Sequence, residues 1–191
     1  MKKFVVIFLY SIIIVSCSGL NSLQNSNIDE NSIVRWDENR KLNWNDFQGE
    51  SIKNAAISSE LLIQMPAKFN KAALFLPSNY YVECYMVKKG SWVDSAKATE
   101  QSLKYNQSIF DIYEIYSRRL RKKFEETELG IGDPTEKFNS ICNENALALS
   151  NEIINYRKET EMGINNDKID EWRLKINDML KELEKFKSTK N

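Results

Sequence analysis

The chain has no histidine among its 191 residues. Imidazole is the usual proton shuttle near neutral pH and the commonest zinc ligand, so this absence removes Ser-His and Cys-His nucleophile pairs. It also removes the ordinary histidine-based metal sites. Glycine is sparse, at six residues, and no glycine-rich phosphate loop occurs. Net charge is absent too: 27 basic residues face 27 acidic ones. Taking away Lys2 and Lys3 leaves 25 basic residues, a mildly acidic remainder that implies no nucleic-acid partner. Cysteine is limited to Cys17, Cys84 and Cys142. The last two lack the count and close spacing of a zinc site. One disulfide between them is open, but Cys84 lies in a strand-like run and Cys142 on a helical face, which favours two small buried apolar residues. A glycosidase-like pair of carboxylates stays open, but no pair among 27 acidic residues is singled out.

Hydrophobic residues make up 42% of the chain, enough for the core of one domain. The one long apolar run is Phe4 to Val15, preceded by Lys2 and Lys3. It is short for a bilayer span and of the right length for a signal-peptide core. It ends in Ile14-Val15-Ser16-Cys17, which resembles the bacterial lipobox. That resemblance implies a signal peptide over 1–16, acylation (palmitate among the chains) of Cys17, and a protein held in the cell envelope outside the cytoplasm, on the outer or inner membrane, facing periplasm or surface. Residues 17–32 are rich in Asn and Ser and read as a flexible tether.

A single domain is expected over 33–187. Trp36, Leu42, Trp44 and Phe47 open it, with Gly49 closing the stretch. Strands are expected at Ile57 to Gln64 and at Tyr80 to Lys88, with Pro66 and Pro77 breaking the chain between, and a weaker one at Phe69 to Leu76. Both faces of the 80–88 run are mostly apolar, which predicts a central strand.

A long helix follows, with Ser95 or Thr99 as its N-cap. Tyr105, Ile109, Ile112, Tyr116 and Leu120 recur at three-four spacing and predict one buried stripe. Arg118, Arg119, Arg121, Lys122 and Lys123 read as a solvated cationic end that suits the macrodipole. Asp111 and Glu114 are expected to cap, to orient the helix or to pair with Arg118 or Arg121. Gly130, Gly132 and Pro134 stop this helix; Asp133 and Pro134 start the next, whose buried face carries Phe138, Ile141, Cys142, Asn145, Leu149 and Ile153 to about Tyr156 or Lys158. Asn166 and Asp167 are expected to cap a last helix with Ile169, Trp172, Ile176, Met179, Leu180, Leu183 and Phe186 inward, before Lys185 to Asn191 frays. The Asn165-Asn166-Asp167 cluster, with Asp170 and Glu171, lacks the EF-hand pattern and fits a capped first turn.

Three separated blocks, in order, carry a resemblance to a family of secreted bacterial zinc-dependent proteases. They are Leu42-Asn-Trp44-Asn-Asp-Phe47-Gln-Gly49 with Ala55 and Ala56 after it, the helix containing Phe110-Asp111-Ile112, and Tyr156-Arg-Lys-Glu159-Thr160-Glu-Met162-Gly163. The family's helix carries His-Glu-x-x-His before Phe-Asp-Ile, and its last block carries a further histidine. At the matching positions this chain has Tyr105, Asn106, Ile109 and Met162. Two histidines one turn apart and an adjacent glutamate would hold zinc and take a proton from its water; a phenol, an amide, an aliphatic chain and a thioether do neither. The resemblance therefore implies an α+β, zincin-like fold, with a small antiparallel sheet of two to four strands on a long central helix and two C-terminal helices. It implies no metal, no cofactor and no catalytic residue, with Tyr105, Ile109 and Met162 filling the space a metal would leave. The partners expected are the membrane, through Cys17, and a protein or peptide of unknown identity. Two other readings stand beside it: a hydrolase using carboxylates or a rebuilt metal site, marked by Asp and Glu converging near Asn106, and an unrelated helical envelope scaffold, marked by an exposed Trp172-Ile176-Leu183 stripe.

Overall fold

A computed structural model describes residues 29–52, 55, 57–70, 79–127 and 135–188. Cys17, the leader, the tether up to residue 28, the alanine at 56, residues 71–76 of the weak strand, Pro77 and the Gly130 to Pro134 junction lie outside the described residues. Among the described residues seven short strands precede three helices: β1 (Ile33–Arg35), β2 (Ser59–Glu60), β3 (Ile63–Gln64), β4 (Ala67–Asn70), β5 (Asn79–Val82), β6 (Tyr85–Val87), β7 (Trp92–Val93), α1 (Glu100–Glu126), α2 (Thr135–Glu159) and α3 (Asn166–Glu182). The fold is α+β, and all strand pairs are antiparallel.

The strands form three small sheets, ordered β1-β6-β3, β2-β7 and β4-β5, where one sheet was expected. The two long strand candidates are each cut in two. Between β5 and β6, Arg121 donates to the Val82 carbonyl at 3.1 and 3.2 Å, and Glu83 N–H donates to Pro66 O at 3.1 Å. A guanidinium thus takes the ladder's acceptor, and the chain changes partners. β6 retains the central place predicted for this run, flanked by β1 and β3. Residues 30–32, assigned to the tether, form a 3-10 turn capped by Asp29. Gly49 is required by contact: its N–H donates to Ser91 O at 2.7 Å, and a Cβ there would lie 2.9 Å from the same oxygen.

α1 begins at a capping box in which Ser102 N–H donates to Thr99 Oγ1 at 3.1 Å and Thr99 N–H to Ser102 Oγ at 2.9 Å. Of the two expected caps, Thr99 is the one used; Ser95 opens a separate 3-10 turn. The expected stripe is buried, but so is every residue from Tyr105 to Arg118. α2 and α3 both pack on α1, which the strands also cover. Phe69, Phe138, Phe124 and Tyr80 form one aromatic row, with centroids 4.7, 4.9 and 5.3 Å apart in sequence along it. Cys84 and Cys142 are both buried and are not joined in a disulfide.

Four further expectations need correction. α3 is capped by Asn165, whose side chain accepts from Lys168 N–H at 3.2 Å, one residue before the expected caps. α2 runs to Glu159, in line with the expected end, but Asn145, expected on its buried face, is only half-buried and donates to Tyr116 O at 3.2 Å. Residues Glu184–Phe186 form a 3-10 turn held by Arg121, which donates to Phe186 O at 2.9 Å, so the chain does not fray at Lys185. The cationic helix end is solvated only in part: Lys123 is exposed and Lys122 half-buried, but Arg118 and Arg121 are 1% and 8% exposed, because carbonyls of β5, of the last turn of α3 and of the chain after it face them. Trp172, Ile176 and Leu183 are buried, so the stripe that would mark a helical scaffold is not exposed.

Candidate functional site

The polar face of α1 is matched by partners drawn from the whole domain. Asp111 accepts from Trp36 Nε1–H at 2.7 Å and from Gln107 at 2.8 Å, and pairs with Arg173. Gln107 in turn accepts the Leu42 N–H at 2.8 Å, tying the first sequence block to the helix. Glu114 accepts from Arg118 at 3.0 Å and from Arg121 at 3.1 Å, both buried. Of the pairings expected for these two carboxylates, Glu114 makes both arginine contacts while Asp111 uses Arg173. These groups are spent on one another and on backbone, which marks them as architecture.

One turn nearer the N-terminus the situation differs. Tyr105, Asn106, Ile109 and Met162 line a single cleft between α1 and the segment 57–61, together with Glu60 and Arg157. Residues from separate sequence blocks thus meet at one place. The cleft has a volume of about 10 Å³, room for about one water molecule. Glu60 and Arg157 close one side with an ion pair at 2.9 Å. Among the described residues no three Cys, Asp or Glu converge as a metal cage requires.

Tyr105 stacks on Tyr156 at 5.2 Å, and Tyr156 meets the edge of Trp172 at 5.4 Å. Burial raises the Tyr105 phenol to about 12, with Arg157 working against the rise and Glu60 for it. Burial likewise raises Tyr113, one turn beyond Ile109, to about 12. Burial alone would lower Arg157, but Glu60 and the two phenols outweigh it and the guanidinium's pKa is raised. Arg157 is therefore a fixed cation.

Asn106 is 1% exposed. Its Nδ2 donates to Ser59 Oγ at 2.7 Å and to Ser102 O at 2.8 Å. Reversing the amide would set its oxygen against the Ser102 carbonyl, so the orientation is fixed by chemistry. Its Oδ1 has no partner. Among the described residues three buried side-chain polar atoms lack a hydrogen-bond partner, and two of them, Asn106 Oδ1 and Arg157 Nε, are on residues that line this cleft. Buried polar atoms are normally paired, so the concentration here is informative.

Met162 corrects the expectation of three plugs. Tyr105 and Ile109 are buried, but Met162 is 46% exposed and rests on the rim. The chain reverses from α2 to α3 through Glu161, Met162 and Gly163 at φ 51°, 57° and 95°, and this left-handed turn aims the Met162 side chain outward. Gln101 holds the turn to α1 by donating to Gly163 O and Ile164 O, both at 2.9 Å. A Cβ on Gly163 would meet the Tyr105 ring at 3.0 Å. Gly163→Ala is expected to cost about 1–3 kcal/mol, seen as a lower urea midpoint at unchanged slope; an unchanged midpoint would mean the ring yields freely.

Sequence reasoning did not find Ser59, Glu60 or Arg157. Arg157 reads as an ordinary basic residue in the last turn of a helix, and its partner lies 97 positions away. No family model matches the chain, and no curated protein or solved structure matches it.

Proposed function

We propose that this is a lipid-anchored cell-envelope protein whose domain is a zinc-protease-like, zincin-like scaffold without catalytic machinery, serving as a binding or structural module. The observation that carries this reading is the meeting of Tyr105, Asn106, Ile109 and Met162 in one nearly filled cleft beside α1. A degenerate metal site predicts that these positions share a place in space; unrelated core positions do not. The one carboxylate lining the cleft, Glu60, is held by Arg157, which disfavours the alternative of a carboxylate hydrolase or rebuilt metal centre. The buried Trp172, Ile176 and Leu183 disfavour a scaffold acting through α3. The anchor rests on the lipobox-like residues ending at Cys17.

Metal analysis of the purified full-length protein tests the reading. Zinc well below one equivalent, with cooperative unfolding indifferent to chelator, is expected. Stoichiometric zinc that resists mild chelation would refute it. Intact mass of the same sample is expected to begin at an acylated Cys17; an unmodified Cys17 would remove the anchor.

A further inference from the structure

The unpaired groups in the cleft have a definite pattern. Asn106 Oδ1 is an acceptor and Arg157 Nε–H is a donor. Glu60 Oε1 accepts from Arg157 Nη2–H, and the carboxylate keeps further acceptor capacity. Two acceptors and one donor complement a primary carboxamide, which offers two N–H donors and one carbonyl. The Glu60–Arg157 pair cancels its own charge, so a free ion entering would be desolvated without a counter-charge. A neutral group suffers no such cost. Tyr105 and Ile109 supply an apolar wall for a short aliphatic stem.

We infer that this cleft binds a neutral primary carboxamide, carried by a free small molecule or by an asparagine or glutamine side chain. The inference rests on the proposed reading of the domain as a binding module, and it names what that module holds. Amide nitrogen donates to Asn106 Oδ1 and Glu60; the carbonyl accepts from Arg157 Nε. At about 10 Å³ the closed cleft is too small for the group, so entry requires a wall to move. Met162 is the element able to do so: it is exposed while Tyr105 and Ile109 are packed, and it sits on a left-handed turn. A side chain that borders a site without being packed into the core yields at small cost.

The test uses the full-length chain in detergent micelles. Propionamide represents the free ligand, and N-acetylglutamine methylamide the side chain. N-acetylalanine methylamide, which has backbone amides only, and propionate are controls. The Met162 methyl and Asn106 side-chain amide resonances are followed, and zinc is measured on the same sample. Saturable shifts with either carboxamide and not with the controls are expected, the stronger probe identifying the carrier. Arg157→Lys keeps the charge opposite Glu60 but removes the Nε donor, and is expected to weaken binding about tenfold, the worth of one hydrogen bond. Met162→Gly relieves the turn and widens the rim of the cleft, so it should bind at least as tightly; a loss there overturns the inference even if Arg157→Lys fails to fold. No saturable shift, equal shifts with the alanine probe, or indifference to Arg157→Lys would also overturn it and leave the cleft to water. A metal-free sample that ignores carboxamides sinks this inference alone, whereas tightly held zinc sinks the proposed function.

Discussion

Glu114→Ala is expected to destabilise the domain by about 3–5 kcal/mol, the cost of breaking a buried ion pair from one side. The Glu114 carboxylate is 2% exposed and accepts from two guanidiniums that are themselves almost wholly buried. Arg118 also donates to Leu180 O at 2.7 Å and to Glu184 at 3.2 Å, and lies 5.0 Å from the centre of the Trp36 ring. Arg121 donates to Val82 O and Phe186 O. Carbonyl dipoles orient both cations, but only Glu114 supplies a buried full counter-charge. Removing it leaves two cations in the interior facing one partly solvated carboxylate, Glu184. Because a domain of this size is held by only about 5–15 kcal/mol, the variant should be partly unfolded at 37 °C. Glu184→Ala, whose side chain is 58% exposed, is expected to cost at most about 1 kcal/mol. Urea midpoints for the two variants decide the matter: near-equal losses would mean that the carbonyls alone suffice.

This network also shows what the sequence could and could not convey. The spacing of Tyr105, Ile109, Ile112, Tyr116 and Leu120 is a local signal, and it located α1 and its inward face correctly. It gave no sign that the opposite face is buried as well. That face is covered by Trp36, Arg173 and backbone carbonyls at Val82, Leu180 and Phe186, and a carbonyl carries no residue-specific mark. An arginine-rich helix end looks the same in sequence whether water or main chain receives it. The strands were misjudged for a related reason. Residues 80–88 alternate well enough for one strand, yet Arg121, a side chain 39 positions away from Val82, ends the ladder there.

The cleft was legible in outline only. Resemblance between sequence blocks nominated Tyr105, Asn106, Ile109 and Met162, and all four do line one surface. Their individual environments were set by backbone geometry that composition does not disclose. Met162 is bulky and apolar, which suggested a plug, but φ of 57° on a tight reversal turns it to the rim. Asn106 looked like an inert replacement for a catalytic base; its burial with an unanswered oxygen makes it the least indifferent residue of the site.

The same cleft is expected to make the protein fragile in alkali. Burial raises Tyr105 and Tyr113 to about 12, and Tyr156, stacked on Tyr105, is raised as well. An unfolded tyrosine ionises near 10. The fold therefore favours the protonated phenol, and that stabilisation is complete below pH 10 and is lost as pH rises from 10 towards 12. At 1.36 kcal/mol for each pH unit of displacement, Tyr105 and Tyr113 each cost the fold up to about 3 kcal/mol once the pH passes 12, together comparable with the whole stability of a small domain. Tyr156 O–H also donates to the backbone carbonyl of Tyr105 at 3.1 Å, a bond that ionisation of Tyr156 abolishes, leaving two acceptors facing each other. Unfolding should thus precede free titration: tyrosinate absorbance and loss of helical circular dichroism are expected to rise together between pH 10 and 12. Tyr105→Phe should lessen the fall of stability with pH in that window by up to one proton's worth, about 1.4 kcal/mol per pH unit, because phenylalanine has no proton to lose. Gradual titration of every tyrosine near pH 10 with the helices intact would show instead that water reaches these rings, and the packed cleft would have to be given up.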